Sequence, residues 1–191
     1  MMKKVFICLF LLLTLISATY ASESKKVLMI IASQNFRDEE FLTPKQIFEK
    51  AGFNVIVASS SLNTAKGTLG ATVKPDILIK DVNVKTFDAV VFVGGPGAEE
   101  YFHNPVALKI AQEAYKEGKV VGAICIAPRI LAEAGILKGK KATVFHSQIE
   151  ALKAKGAIHT GKDVEVDGKI VTASGPKAAD KFGNAIVKLL K

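Results

Sequence analysis

The chain has 191 residues, is 49% hydrophobic and 23% charged, and carries a net charge of +8. That balance suits one domain with a sizeable core and excludes a disordered or low-complexity chain. The lysines are scattered and no aromatic residues interleave with them, so a solvated basic surface is favoured over a nucleic-acid-binding one.

Residues 1–21 read as a secretory signal peptide. Lys3 and Lys4 form a short basic region, Val5 to Ile16 are almost unbroken apolar, and Thr19 and Ala21 stand where a signal peptidase reads small residues. Twelve apolar residues fall short of the roughly 20 that span a bilayer. Cleavage after Ala21 predicts a single domain over 22–191, with 170 residues and a charge of +6, free of the membrane and periplasmic or secreted. Cys8 leaves with the leader. Cys125 then stays as a lone cysteine in a compartment where disulfides persist, either an inert buried thiol or a reactive one.

Strand and helix signals alternate from Lys25 onward. Val27 to Ala32 is a continuous apolar run, the pattern of a strand buried on both faces. Ser33 to Glu40 reads as a loop. Thr43-Pro44 predicts a helix start and Gly52 its end. Asn54 to Ala58 is a second strand, with short strands or a hairpin over Gly67 to Val73 and Ile77 to Ile79. Ala89 to Val93 is a further buried strand, closed by Gly94-Gly95-Pro96-Gly97, and a helix runs from Asn104-Pro105 to Gly118. Another apolar run ends at Cys125 and turns at once into a helical pattern. A short strand over Ala142 to Phe145 and a helix over Ser147 to Lys155 come next. A hairpin turning at Asp167-Gly168 and a final helix to Leu190 complete the chain. Repeated strand–helix units predict an α/β fold with a mostly parallel sheet and helices on both faces. The active region of such a sheet lies at the carboxyl ends of its strands.

Three segments converge there: the loop after Ala32, the Gly94-Gly95 turn, and the Cys125 elbow. A thiol at a strand-to-helix elbow lies near the positive end of the following helix, which favours the thiolate. Asp38, Glu39 and Glu40 offer carboxylates at the same end, although solvated loop charges would look the same in sequence. The Gly94-Gly95 turn offers bare N–H groups for an oxyanion, or is a simple tight turn. His146 follows a strand end, as Cys125 does, and is a candidate proton carrier or an ordinary polar residue. His103 and His159 sit in polar surroundings and read as surface residues. No His, Cys and acid group has metal-ligand spacing, so no metal is expected.

Taken together, Ala123-Ile124-Cys125-Ile126-Ala127-Pro128, Glu40 four residues before Pro44, and Gly94-Gly95 after a valine-rich strand resemble the ThiJ/PfpI family over Lys25 to Leu190. That resemblance implies a flavodoxin-like three-layer α/β sandwich, a homodimer, and no cofactor. It maps the nucleophile to Cys125, the conserved acid to Glu40, and the oxyanion donors to the backbone N–H groups of Gly95 and Ile126. Protease-like members carry histidine directly after the cysteine. Ile126 stands there instead, so the chain looks more like the deglycase and glyoxalase branch, whose later histidine is matched by His146. The implied activity is glutathione-independent conversion of methylglyoxal, a small dicarbonyl, or repair of its glycated adducts. A redox-sensing stress protein or chaperone using an oxidisable Cys125, and a cysteine hydrolase or amidase, are the other readings.

Overall fold

Long apolar runs in a chain this size must be covered on both sides, and the structure shows how. The computed structural model describes residues 24–191; the predicted signal peptide lies outside the described residues. In the first half of the chain the elements are β1 (Lys26–Ile30), β2 (Gln34–Phe36), α1 (Asp38–Lys50), β3 (Asn54–Ser59), β4 (Ala65–Gly67), β5 (Thr72–Val73), β6 (Ile77–Leu78) and β7 (Ala89–Phe92). In the second half they are α2 (Pro105–Lys116), β8 (Val120–Ile124), α3 (Pro128–Glu133), β9 (Lys141–Ala142), α4 (Ile149–Ala154), β10 (Ile158–His159), β11 (Val164–Asp167), β12 (Ile170–Ala173) and α5 (Ala179–Leu190).

Seven strands form one sheet in the order β11-β12-β8-β7-β1-β3-β6. Every neighbouring pair in it is parallel except β11 with β12. All residues of β7, β8 and β12 are buried, as expected of strands covered on both faces. Helices α1 and α5 pack together on one face, and α2 with α3 cover the other. Glycines set the closest approaches on the first face. A Cβ on Gly122 of β8 would sit 2.8 Å from Ile186 Cδ1, and one on Gly183 of α5 would sit 3.2 Å from the Pro44 Cα. The result is the predicted three-layer α/β sandwich with a mostly parallel sheet.

Several boundaries differ from the sequence reading, and Gln34–Phe36, read as loop, forms strand β2. Helix α1 begins at Asp38, five residues before Thr43, with Pro44 in its interior. Asp38, Glu39 and Glu40 fill its first turn, where carboxylates are favoured by the helix dipole. Pro44 removes the N–H that would have bonded the Glu40 carbonyl, which is tolerable so near the helix start. Of Ala142 to Phe145, only Ala142 stays in a strand. Thr143 N donates instead to Thr172 Oγ1 at 2.9 Å and Phe145 N to the Cys125 carbonyl at 2.8 Å, drawing this backbone toward the end of the main sheet. The helix predicted from Ser147 opens with a 3-10 turn over His146–Gln148 before α4.

Candidate active site

The site is built where β8 stops. Residue Cys125 takes a left-handed backbone conformation, with φ at 63°. An L-residue with a Cβ pays about 1–2 kcal/mol for that region. The conformation is held at both ends: Cys125 N donates to the Ala173 carbonyl at 2.9 Å, and its carbonyl accepts from Phe145 N. The sheet thus presents the thiol above its carboxyl edge while leaving Cys125 only 8% exposed.

Glu40, third residue of α1, is 0% exposed and is directed at that thiol. Two features aim it. Arg37 N donates to the Gly94 carbonyl at 3.0 Å, pinning the start of α1 to the turn after β7. The Asp38 carboxylate accepts from Leu69 N at 2.8 Å and Ala71 N at 2.7 Å, tying the same helix start to the β4–β5 turn. Gly94 then provides the opening. A Cβ there would collide with Glu40 Oε2 and lie 2.6 Å from Cys125 Cβ. Gly95 has φ at 94°, and a Cβ on it would run into Arg37 N.

Electrostatics follow from this burial. Loss of solvent raises the Glu40 carboxyl to about 8, against opposing contributions from the Cys125 thiol, Arg37 and the Gly94 backbone. Neither Glu40 oxygen closes a full hydrogen bond, so the carboxyl is buried and under-satisfied. Such contacts are often loose in a free site and tighten around substrate. Burial, and then the neighbouring Glu40 charge, push the Cys125 thiol up to about 12. This corrects the expectation that a helix terminus favours the thiolate. The helix after the elbow starts three residues later, at Pro128, and is six residues long. Desolvation outweighs it. Burial here favours the protonated thiol, and Glu40 is the carboxyl beside it.

Backbone N–H groups of Gly95 and Ile126 face the Cys125 sulfur and oppose the rise in its pKa. A cleft of about 490 Å³ opens over these atoms, with Cys125 and Glu40 at its floor. Its walls include Pro96, Ile126, Phe145 and Pro176, with Arg37, Glu99 and Gln148 as polar neighbours. That volume is ample for a small organic substrate.

Cys125, Glu40, Gly95 and Ile126 are therefore brought together, and His146 is not. Its side chain is exposed, its ring centroid 4.2 Å from that of Phe145 and tilted by 44°, and the cleft wall passes from Phe145 to Ser147 without it. The backbone bond from Phe145 N to Cys125 turns Phe145 inward, and the next side chain points elsewhere. Glu39 is turned away from the thiol by its ion pair with Arg37 at 2.8 Å. His103 is exposed and His159 half-buried in β10, neither of them lining the cleft. Sequence reasoning missed Arg37, Phe145 and Pro176 as cleft residues. Arg37 sits beside the candidate acids Asp38 to Glu40, so that signal was near at hand.

A family model described as the DJ-1/PfpI family matches residues 25–189. An uncharacterized protein of Methanocaldococcus jannaschii is 43% identical over 88% of this chain and 84% of its own. A protein of Pyrococcus horikoshii named a deglycase is 35% identical over 87% of this chain and 99% of its own. A glutathione-independent glyoxalase of Caenorhabditis elegans is 28% identical over 87% of this chain and 89% of its own. Among solved structures, a ThiJ/PfpI domain protein from Brachyspira murdochii superimposes with a TM-score of 0.86 at 34% identity, covering 88% of this chain and 98% of its own. The match spans the whole sandwich and the elbow with it, and the chain belongs to the DJ-1/PfpI family.

Proposed function

We propose that the protein is a cysteine-dependent, glutathione-independent glyoxalase that converts 2-oxoaldehydes, free or as their adducts, into 2-hydroxy acids. The observation that carries this reading is the buried Glu40–Cys125 pair at the floor of the cleft, with no histidine next to the cysteine. Relatives named deglycase and glutathione-independent glyoxalase support it.

The chemistry follows from the pair. Once Glu40 is ionised, its carboxylate accepts the Cys125 proton as the sulfur attacks the aldehyde carbon. The Gly95 and Ile126 N–H groups stabilise the oxyanion that forms there. Glu40 returns its proton to that oxygen, giving a hemithioacetal. It then removes the hydrogen from the same carbon, giving an enediol, and delivers it to the neighbouring carbon, while the hydroxyl proton passes from the first oxygen to the former ketone oxygen, leaving a thioester. Water cleaves the thioester, releasing lactate from methylglyoxal and restoring the thiol. Oxidation of one carbon is balanced by reduction of the next, so no external oxidant is required. The leader-like residues 1–21 support placing this reaction in the cell envelope.

Purified protein is incubated with methylglyoxal in the absence of glutathione, with Cys125→Ser alongside, and lactate is assayed. Lactate from the parent and none from the variant is expected. Equal lactate from both, or none from either, would defeat the proposal.

A further inference from the structure

The cleft is larger and more apolar than methylglyoxal needs. Its oxyanion donors and proton carrier are gathered at the floor, around Cys125. Above them Arg37 and Gln148 are already engaged, Ser147 Oγ accepts from Gln148 Nε2 at 3.4 Å, and Glu99 is exposed to solvent. Arg37 gives Nε and Nη2 to Glu39 at 2.8 and 3.0 Å, and Gln148 Oε1 accepts from Arg129 Nη1 at 3.0 Å. Besides the solvated Glu99, what an incoming substituent meets is the apolar wall of Pro96, Ile126, Phe145 and Pro176.

Phe145 is the most firmly placed part of that wall. Its N–H bonds the carbonyl of the nucleophile itself at 2.8 Å, so its distance from Cys125 is set by the backbone. One ring edge lies where a Cβ on Gly175 would be 3.5 Å from Cδ2, and the His146 ring packs beside it, tilted by 44° with centroids 4.2 Å apart. A ring wedged in this way is a preorganised surface that costs little entropy to use.

We infer that Phe145 is a specificity-determining residue and that the substrates are 2-oxoaldehydes whose ketone carbon carries an apolar, ring-sized substituent. This rests on the glyoxalase reading above. An arylglyoxal would bind its dicarbonyl at Cys125 and its ring against Phe145 and Ile126. Its product is the 2-aryl-2-hydroxy acid: the aldehyde carbon is oxidised to a carboxylate, the ketone carbon is reduced, and water supplies the added oxygen.

The test compares kcat/KM for phenylglyoxal and methylglyoxal, from initial rates of mandelate and lactate formation, in the parent protein, Phe145→Ala and Phe145→Leu. The parent is expected to favour phenylglyoxal by about tenfold or more, the range in which apolar pockets discriminate. Phe145→Ala is expected to reduce both values, phenylglyoxal about tenfold more than methylglyoxal. Taking the ratio between variant and parent cancels the intrinsic difference in aldehyde reactivity. Phe145→Leu retains apolar bulk and is expected to fall between the two, which separates loss of the ring from loss of the fold. Turnover of both aldehydes without a preference for the ring, or with a preference that neither variant alters, would overturn this inference and leave the glyoxalase reading standing. Turnover of neither would overturn both.

Discussion

Glu40 reaches Cys125 through a gap that exists because residue 94 is glycine. A methyl group on Gly94 would occupy the space of Glu40 Oε2 and press on Cys125 Cβ. Gly94→Ala is therefore expected to push the carboxyl and the thiol apart. Displacements near 1 Å in a catalytic pair cost about a hundredfold in rate, and overpacking costs about 1–3 kcal/mol in stability. Steady-state kinetics and thermal melting check both. Near-parental activity in Gly94→Ala would show that the gap has no such role.

The left-handed backbone at Cys125 makes a separate prediction. Cys125→Ala removes the thiol but retains the Cβ that the conformation disfavours, whereas Cys125→Gly removes both. Cys125→Gly is expected to be the more stable of these two thiol-free variants by about 1 kcal/mol, as measured by denaturant unfolding. The opposite order would mean that the elbow carries no strain.

Asp38 anchors the same helix start by accepting two partly buried N–H groups. Burial alone would raise its carboxyl, but the Leu69 and Ala71 N–H groups outweigh that and hold it below the ordinary range. Stability from a depressed carboxyl is present above its ordinary value and is lost as pH falls through the lower folded value. Asp38→Ala leaves both donors unpaired and is expected to cost about 1–3 kcal/mol at neutral pH. The difference from the parent should shrink in strong acid. A variant as stable as the parent at neutral pH would refute the anchor.

Glu40 acts in the opposite sense. Its carboxyl is raised from 4.5 to about 8, so the folded chain keeps a proton that the unfolded chain loses across that window. Stability from this group is complete below about 4.5 and declines as pH climbs to about 8. Glu40→Gln removes the burial of a charge. At pH 9 it is expected to be more stable than the parent by on the order of a few kcal/mol, with the two converging in mild acid. The Glu40 charge also raises the Cys125 thiol, so its removal shifts the difference at pH 9 in the same direction. Parallel stability profiles would contradict the raised carboxyl.

Much of this was legible in the sequence for physical reasons that can be named. Val120 to Ile124 had to be a doubly buried strand, and an abrupt switch of period behind it placed Cys125 at an elbow. Resemblance to a family selected Glu40 from three adjacent acids, a choice that composition could not make. What escaped depended on long-range bonds. Residues 33–40 read as loop because Pro44 looked like a helix start, yet the acids of Asp38 to Glu40 begin the helix. His146 and Phe145 differ by one position, and a tertiary bond from Phe145 N to Cys125 decided which faces the cleft. The state of the thiol escaped for the same reason. A helix terminus is visible in sequence, while the desolvation that outweighs it is a property of the packed site.

The central claim is that an ionised Glu40 takes the Cys125 proton, and the pH dependence of kcat/KM for 2-oxoaldehyde conversion tests it most directly. One proton must leave the pair before attack, and it leaves Glu40 at about 8. The account predicts that kcat/KM rises about tenfold between pH 7 and pH 9 on a single limb centred near 8. In Glu40→Gln, activity falls by about a hundredfold or more and that limb is absent. A parent profile that is flat across pH 7 to 9, or a limb near 8 that persists in Glu40→Gln, would contradict it.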